Sequence, residues 1–233
     1  MIHQPIQAKI GTLPQESSSM PERTSLYYGD NLTVLRDPTY IAAESVDLVY
    51  LDPPFKSDQD FNVLYEEKDG TLSESQMRSF QDTWHYDKKA QELYEETVNF
   101  GPEKVATTLE ALMSCLGRSD MMAYLVNMAP RLSELRTKLK STGSLYLHCD
   151  PSASHYLKMV LDSVFGPAQF RNEIVWRRTG AHSNPRRFGG IHDTLLFYSK
   201  TDEYYFKPLP QPYMKGHVEK RYRKDETGKL KFI

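Results

Sequence analysis

Six mostly apolar residues, Val46 to Leu51, run without a break into Asp52-Pro53-Pro54-Phe55. No other stretch restricts the architecture of the chain as strongly. A run of this length and character reads as a strand buried in a parallel sheet. Proline has no N–H to offer a ladder, so two in succession end the strand. The residue before each proline is itself held to extended backbone. The sheet therefore delivers one carboxylate, Asp52, onto a stiff turn at a strand's carboxyl end.

The flanking sequence supplies the rest of an α/β pattern. Leu26-Tyr27-Tyr28 reads as a short strand ended by Gly29, and Asp30 or Asn31 caps a helix that carries Leu32 and Leu35 and stops near Asp37-Pro38. Residues 56 to about 100 show no steady period and read as a long loop, interrupted by a short helix at Ser75 to Asp82. Helices follow at Glu103–Leu116 and Asp120–Lys140, the second with Leu125, Met128, Leu132, Leu135 and Leu139 in one apolar stripe. Gly143 is read as the helix break, Ser144–His148 as a strand, and Ser152–Phe165 as a helix closed by Gly166-Pro167. Phe170–Arg177 and His192–Ser199 read as strands joined by a basic loop, and the sequence after Thr201 has weak periodicity. Strands alternating with helices, then two strands in succession, predict a mostly parallel sheet finished by an antiparallel pair. In such sheets ligands bind beyond the carboxyl ends of the strands. Gly29-Asp30, Asp52-Pro53-Pro54-Phe55 and His148-Cys149-Asp150 all fall at such ends.

The tetrapeptide suits one kind of chemistry. An exocyclic amine on a nucleobase is a poor nucleophile because its lone pair is delocalised into the ring. Two acceptors on its two N–H groups favour a more tetrahedral nitrogen and stabilise the charge that develops on attack. Asp52 supplies a carboxylate and Pro53 a carbonyl, Pro54 stiffens the turn, and Phe55 offers a flat face for a base taken out of the stack. The competing reading is a proline turn with a buried phenylalanine.

Leu51-Asp52-Pro53-Pro54-Phe55 resembles motif IV of the amino-methyltransferases that act on DNA. Tyr28-Gly29-Asp30-Asn31-Leu32, Ser45-Val46-Asp47-Leu48, Ala123-Tyr124-Leu125, Gly143 to Pro151, Ala153 to Lys158, Phe170 to Trp176 and His192 to Tyr198 extend that likeness to the β-class adenine-specific members. The resemblance implies a partial Rossmann-like sheet of the class I methyltransferases and S-adenosyl-L-methionine as cofactor. It further implies DNA as substrate, with adenine favoured over cytosine because aspartate opens the motif. Asp52, Pro53, Pro54 and Phe55 would be catalytic, and Asp30, with Asp52, would contact the cofactor, Asp30 through its adenosine; helix capping is the other reading of Asp30. His148 and Asp150 would line the site edge, or form a strand-end turn satisfied locally.

The formal charge is −2, but residues 171–233 carry about +7 and the remainder about −9. Such an excess suits a phosphate backbone, though a solvated polar face gives the same count. Arg177, Arg178, His182, Arg186 and Arg187 are the candidate DNA contacts. Cys115 lies on an apolar helix face and Cys149 follows an apolar strand; two cysteines make no disulfide or zinc framework, so both are expected to be reduced, in a cytoplasmic protein. No metal site is expected, and no run approaches the roughly 20 apolar residues of a membrane span.

Residues 1–24 read as a flexible tail, 25–206 as the catalytic half of the methyltransferase domain, and 207–233 as the start of a basic target-recognition region. The resemblance calls for a glycine-rich cofactor turn after the motif IV half, and the 233 residues hold none that follows a strand. A further C-terminal half, or a second chain, is expected to supply it; a homodimer is one form of the second chain. The alternatives are a DNA- or partner-binding half-domain without catalysis, methylation of cytosine N4, and methylation of RNA or a protein amide.

Overall fold

The computed structural model describes residues 24–27, 29–53, 84–178, 186, 190–208, 222–224, 227 and 230–232. Most of the N-terminal tail and the helix expected at Ser75–Asp82 lie outside them. Four strands form the main sheet: β1 (Val46–Leu51), β2 (Leu139–Cys149), β3 (Phe170–Arg177) and β4 (His192–Ser199). Their order is β1-β2-β4-β3. β1 and β2 are parallel, while β4 runs antiparallel to both β2 and β3. Three strands therefore point one way and β4 opposes them, as an α/β sheet ending in an antiparallel pair requires. A separate pair, β5 (Tyr222–Lys224) with β6 (Leu230–Phe232), is antiparallel.

The helices are α1 (Asn31–Arg36), α2 (Lys88–Phe100), α3 (Glu103–Leu116), α4 (Asp120–Lys138) and α5 (Pro151–Phe165). Four of them start on a side chain that accepts a hydrogen bond from a first-turn N–H: Asp30 for α1, Asp87 for α2, Ser119 for α4 and Asp150 for α5. Each cap satisfies a donor that the helix cannot satisfy itself. The apolar stripe of α4 packs with α3 and α5 on one sheet face. Leu109, Met122, Leu125, Leu132, Leu157 and Leu161 meet Val49, Leu145, Leu147, Leu196 and Tyr198 there. Tyr198 is fully buried, and its hydroxyl donates to Asp162 Oδ1 at 2.7 Å, which joins β4 to α5. Burial first, then Asp162, raises the Tyr198 pKa well above the usual phenol value.

The opposite sheet face is covered only in part. Tyr146 stacks on Phe197 at 4.4 Å between ring centroids, and Phe206 stacks in turn on Phe197. Toward β1, Leu48 and Tyr50 are exposed, and none of the described residues covers them. The outer edge of β1 has no partner strand among the described residues.

Four local expectations change. Residues 88–100 form a helix, not a loop. Its apolar positions Ala90, Leu93, Tyr94 and Val98, with the buried Thr97, do recur at helical spacing, but the stripe is thin and interleaved with Lys and Glu. Gly143 does not break α4, which ends at Lys138; it lies inside β2. A Cβ there would sit 2.9 Å from the Leu139 side chain and 3.1 Å from the Val46 carbonyl oxygen, so glycine lets β1 approach where the strand register shifts. Residues 24–27 form no strand, and Tyr28 lies outside the described residues. Cys115 is exposed rather than packed on the core face, whereas Cys149 is buried. Both thiols are free, and burial pushes that of Cys149 up to about 12.

Candidate active site

The strand directions assemble the site. β1, β2 and β3 all end at one edge of the sheet, and the opposing β4 begins there. Asp52, His148, Arg178 and Asp193 come together at that edge from four strands. His148 Nδ1 lies 2.9 Å from Asp52 Oδ1, and His148 Nε2 lies 3.2 Å from Asp193 Oδ2. Arg178 Nη1 donates to Asp193 Oδ1 at 3.2 Å. Exposure falls along the chain of contacts, from 61% for the Asp52 side chain to 18% for His148 and 4% for Asp193. A carboxylate as deeply buried as Asp193 is tolerable because both of its oxygens have cationic or N–H partners.

Asp52 and Pro53 also border a cavity of about 510 Å³ on the other side of the strand end. Leu51, Met128, Leu135 and Trp84 give it apolar walls, and Asp30, Asn31, Asn127 and Arg131 give it polar ones. A second cavity of about 410 Å³ shares Asp30, Trp84, Asn127 and Arg131 with the first. Asp30 Oδ1 accepts from the Leu32 N–H at 2.9 Å and from Arg131 Nη2 at 2.6 Å. The capping and cavity-lining readings of Asp30 are thus compatible: one oxygen does the capping, and the side chain remains more than half exposed. Arg131 is held further by Asn31 Oδ1 and the Asn127 carbonyl. Burial lowers the Arg131 pKa from its ordinary value, and the adjacent Asp30 carboxylate opposes that shift.

The cavity has the make-up of a small-molecule site. Apolar walls with a few polar groups, in a volume of this order, are what small-molecule sites present. Trp84 Nε1 is buried with no hydrogen-bond partner among the described residues. The Asp30 carboxylate offers acceptor capacity across the same space.

Among the other residues singled out in the sequence, Asp150 spends Oδ1 on the first turn of α5, accepting from Ala153 N and Ser152 Oγ. Its local strand-end reading describes that geometry, although it sits at the same sheet edge. Arg177 is exposed at the end of β3, and Arg186 is an exposed turn residue. Pro54, Phe55, His182 and Arg187 lie outside the described residues.

Three residues of the site had not been singled out. Asp193 is an acid within the apolar run of β4, and an acid buried in a strand calls for a partner. Arg131 stands on the flank of a helix stripe, where it resembles any surface arginine. Trp84 precedes α2 in a stretch without a legible period. Only Asp193 carried a local signal.

Comparison with known proteins gives the family. Residues 46–231 match the DNA methylase family. The chain is 30% identical over 197 residues to the Mod subunit of the type III restriction-modification enzyme StyLTI of Salmonella typhimurium, covering 84% of this chain and 26% of that protein. It is 26% identical over 220 residues to the EcoPI Mod subunit of Escherichia phage P1, covering 93% of this chain and 30% of the subunit. It is 24% identical over 190 residues to the type II methyltransferase M.KpnI of Klebsiella pneumoniae, covering 81% and 34%. The chain thus spans about a quarter to a third of the length of these curated relatives. A family match that begins at β1 and runs through the whole Asp52–His148–Asp193 site leaves one assignment: the chain belongs to the DNA methylase family.

Proposed function

We propose that this chain holds and activates the target base in S-adenosylmethionine-dependent methylation of DNA, with the N6 amino group of a flipped adenine as acceptor. One observation carries the reading: the Asp52 carboxylate stands exposed at the end of β1, beside a cavity of about 510 Å³, with Oδ1 held by His148. Oδ2 remains to accept one N–H of the amine, and the Pro53 carbonyl accepts the other. The nitrogen then becomes more tetrahedral, and its lone pair is freed to attack. After the C–N bond forms, the extra proton leaves the nitrogen for the exposed Asp52 carboxylate and from there reaches solvent. S-adenosylmethionine, when bound, would supply the electrophilic methyl group, its S–CH₃ bond breaking as the C–N bond forms and the neutral thioether S-adenosylhomocysteine leaving. Asp30 and Trp84, which line the cavity, would hold its adenosine part. Phe55 is the proposed stacking surface for the base. Aspartate at the head of the motif supports adenine over cytosine.

Among the described residues the outer edge of β1 is unpaired, which supports a further part of the proposal. A bare apolar strand edge is a pairing site. A further segment or a second chain is assigned to pair with β1 and to bring the remainder of the cofactor site. The test is product analysis. DNA treated with the complete enzyme and methyl-labelled cofactor, then digested to nucleosides, is expected to carry label in N6-methyladenine. Label in N4-methylcytosine would reassign the base, and no label in any nucleoside would leave only a binding role.

The basic edge near β3 supports DNA contact. Arg186→Ala is expected to weaken DNA binding and to reduce the slope of log affinity against log salt by about 0.9, the loss of one phosphate contact. An unchanged slope removes Arg186 from the interface.

A further inference from the structure

We propose that His148 is the positioning residue for the Asp52 carboxylate, and that buried Asp193, balanced by Arg178, holds the ring for that task. This rests on the function proposed above. Asp52 follows the last residue of a strand whose outer edge has no described partner, and its side chain is 61% exposed. Left alone, a carboxylate there samples several rotamers, and most of them place neither oxygen correctly for a base. Among the described residues, His148 is the group that hydrogen-bonds it. The contact occupies Oδ1, fixes the carboxylate plane and leaves Oδ2 for the amine.

The ring is itself held at its far nitrogen. Nε2 meets Asp193 Oδ2, and the other Asp193 oxygen takes Arg178. Asp193 is buried and Arg178 is more than half exposed, so the network runs from a rigid strand interior outward to the carboxylate at the surface. A neutral imidazole donates at one nitrogen only and faces the other carboxylate with a lone pair. As imidazolium it donates at both, and the four side chains then sum to zero charge. The arrangement resembles a base-orienting device in construction: one group acts, the second aims it, and the third fixes the second.

A purely structural network predicts something different, and single atoms separate the two. Asparagine places its amide near the position of Nδ1, whereas glutamine reaches that of Nε2. Methyl transfer is measured with the complete enzyme, labelled S-adenosylmethionine and unmethylated plasmid DNA. His148→Ala and His148→Gln are expected to lower kcat about 100-fold, the scale of a misplaced reacting group, with KM for DNA nearly unchanged. His148→Asn, which keeps a donor toward Asp52, should recover most of that loss. Wild-type kcat in His148→Ala, or recovery by glutamine as full as by asparagine, overturns the proposal. A wild-type enzyme that transfers no methyl, or an Asp52→Ala variant with full activity, overturns the parent reading instead. A second measurement needs no activity. In 15N spectra of the 233-residue chain, Asp52→Asn should shift the His148 Nδ1 resonance, and Nε2 with it, because the two nitrogens of one ring share its proton distribution. An Nδ1 signal indifferent to Asp52→Asn defeats the contact itself.

Discussion

Replacing Asp52 with asparagine is expected to slow methyl transfer by about 10²–10³-fold, or about 2.7–4 kcal/mol of transition-state stabilisation. The substitution changes almost no volume, so the effect is electronic. A carboxylate offers two acceptor oxygens, one for His148 at 2.9 Å and one for the amine. An amide offers one acceptor and one NH₂. If the asparagine carbonyl stays with His148, its NH₂ faces the target amino group, donor against donor. If it turns round, the NH₂ donates to His148 Nδ1, Nε2–H still serves Asp193, and the amine meets a neutral carbonyl in place of a carboxylate. Either way the nitrogen loses the negative partner that stabilises its developing charge. That interaction strengthens only as the reaction proceeds, so the loss belongs in kcat. DNA affinity, measured by fluorescence anisotropy, should change little. Single-turnover transfer at the wild-type rate would exclude Asp52 from the chemistry.

Leu147→Ala is expected to produce the largest loss of stability, about 2–5 kcal/mol. Leu147 is fully buried in the central strand β2. It sits between Leu51 of β1 and Leu196 of β4 in register, under the packed helices. Truncation removes apolar surface and leaves a void that rigid strands on both sides cannot close. Against a total of about 5–15 kcal/mol, this is a large fraction. Leu48→Ala is the control, one strand away on the opposite face and 57% exposed. It should change stability by less than about 0.5 kcal/mol. Urea denaturation of both variants checks the contrast through the midpoint at constant slope. Equal shifts would mean that the sheet face bearing Leu48 is as buried as the other.

Much of the candidate site was legible because its parts sit where local rules speak. Two prolines after an apolar run mark the strand end at Asp52. An acid before a helix marks the cap at Asp30. The helix Glu103–Leu116 and the strands Phe170–Arg177 and His192–Ser199 fall at the bounds that periodicity and flanking breakers predict. Where the pattern was diluted, local reading went astray. Helix α2 hides its stripe among charged residues, and Gly143 looks like a helix terminator because the close strand crossing it serves is invisible in one dimension.

From its residues alone, then, the chain settles most of its element types, the end of β1 at Leu51 and the family resemblance, because hydrogen-bonding demand, side-chain periodicity and proline sterics act within a few residues. Tertiary structure decided which side chains meet. His148 reaches Asp193 across 45 positions and Asp30 reaches Arg131 across 101. Those pairs exist because β4 inserts between β2 and β3, and because α4 packs beside α1. Such contacts depend on how whole elements are ordered in space, and burial of a shared core governs that order rather than any neighbouring residue.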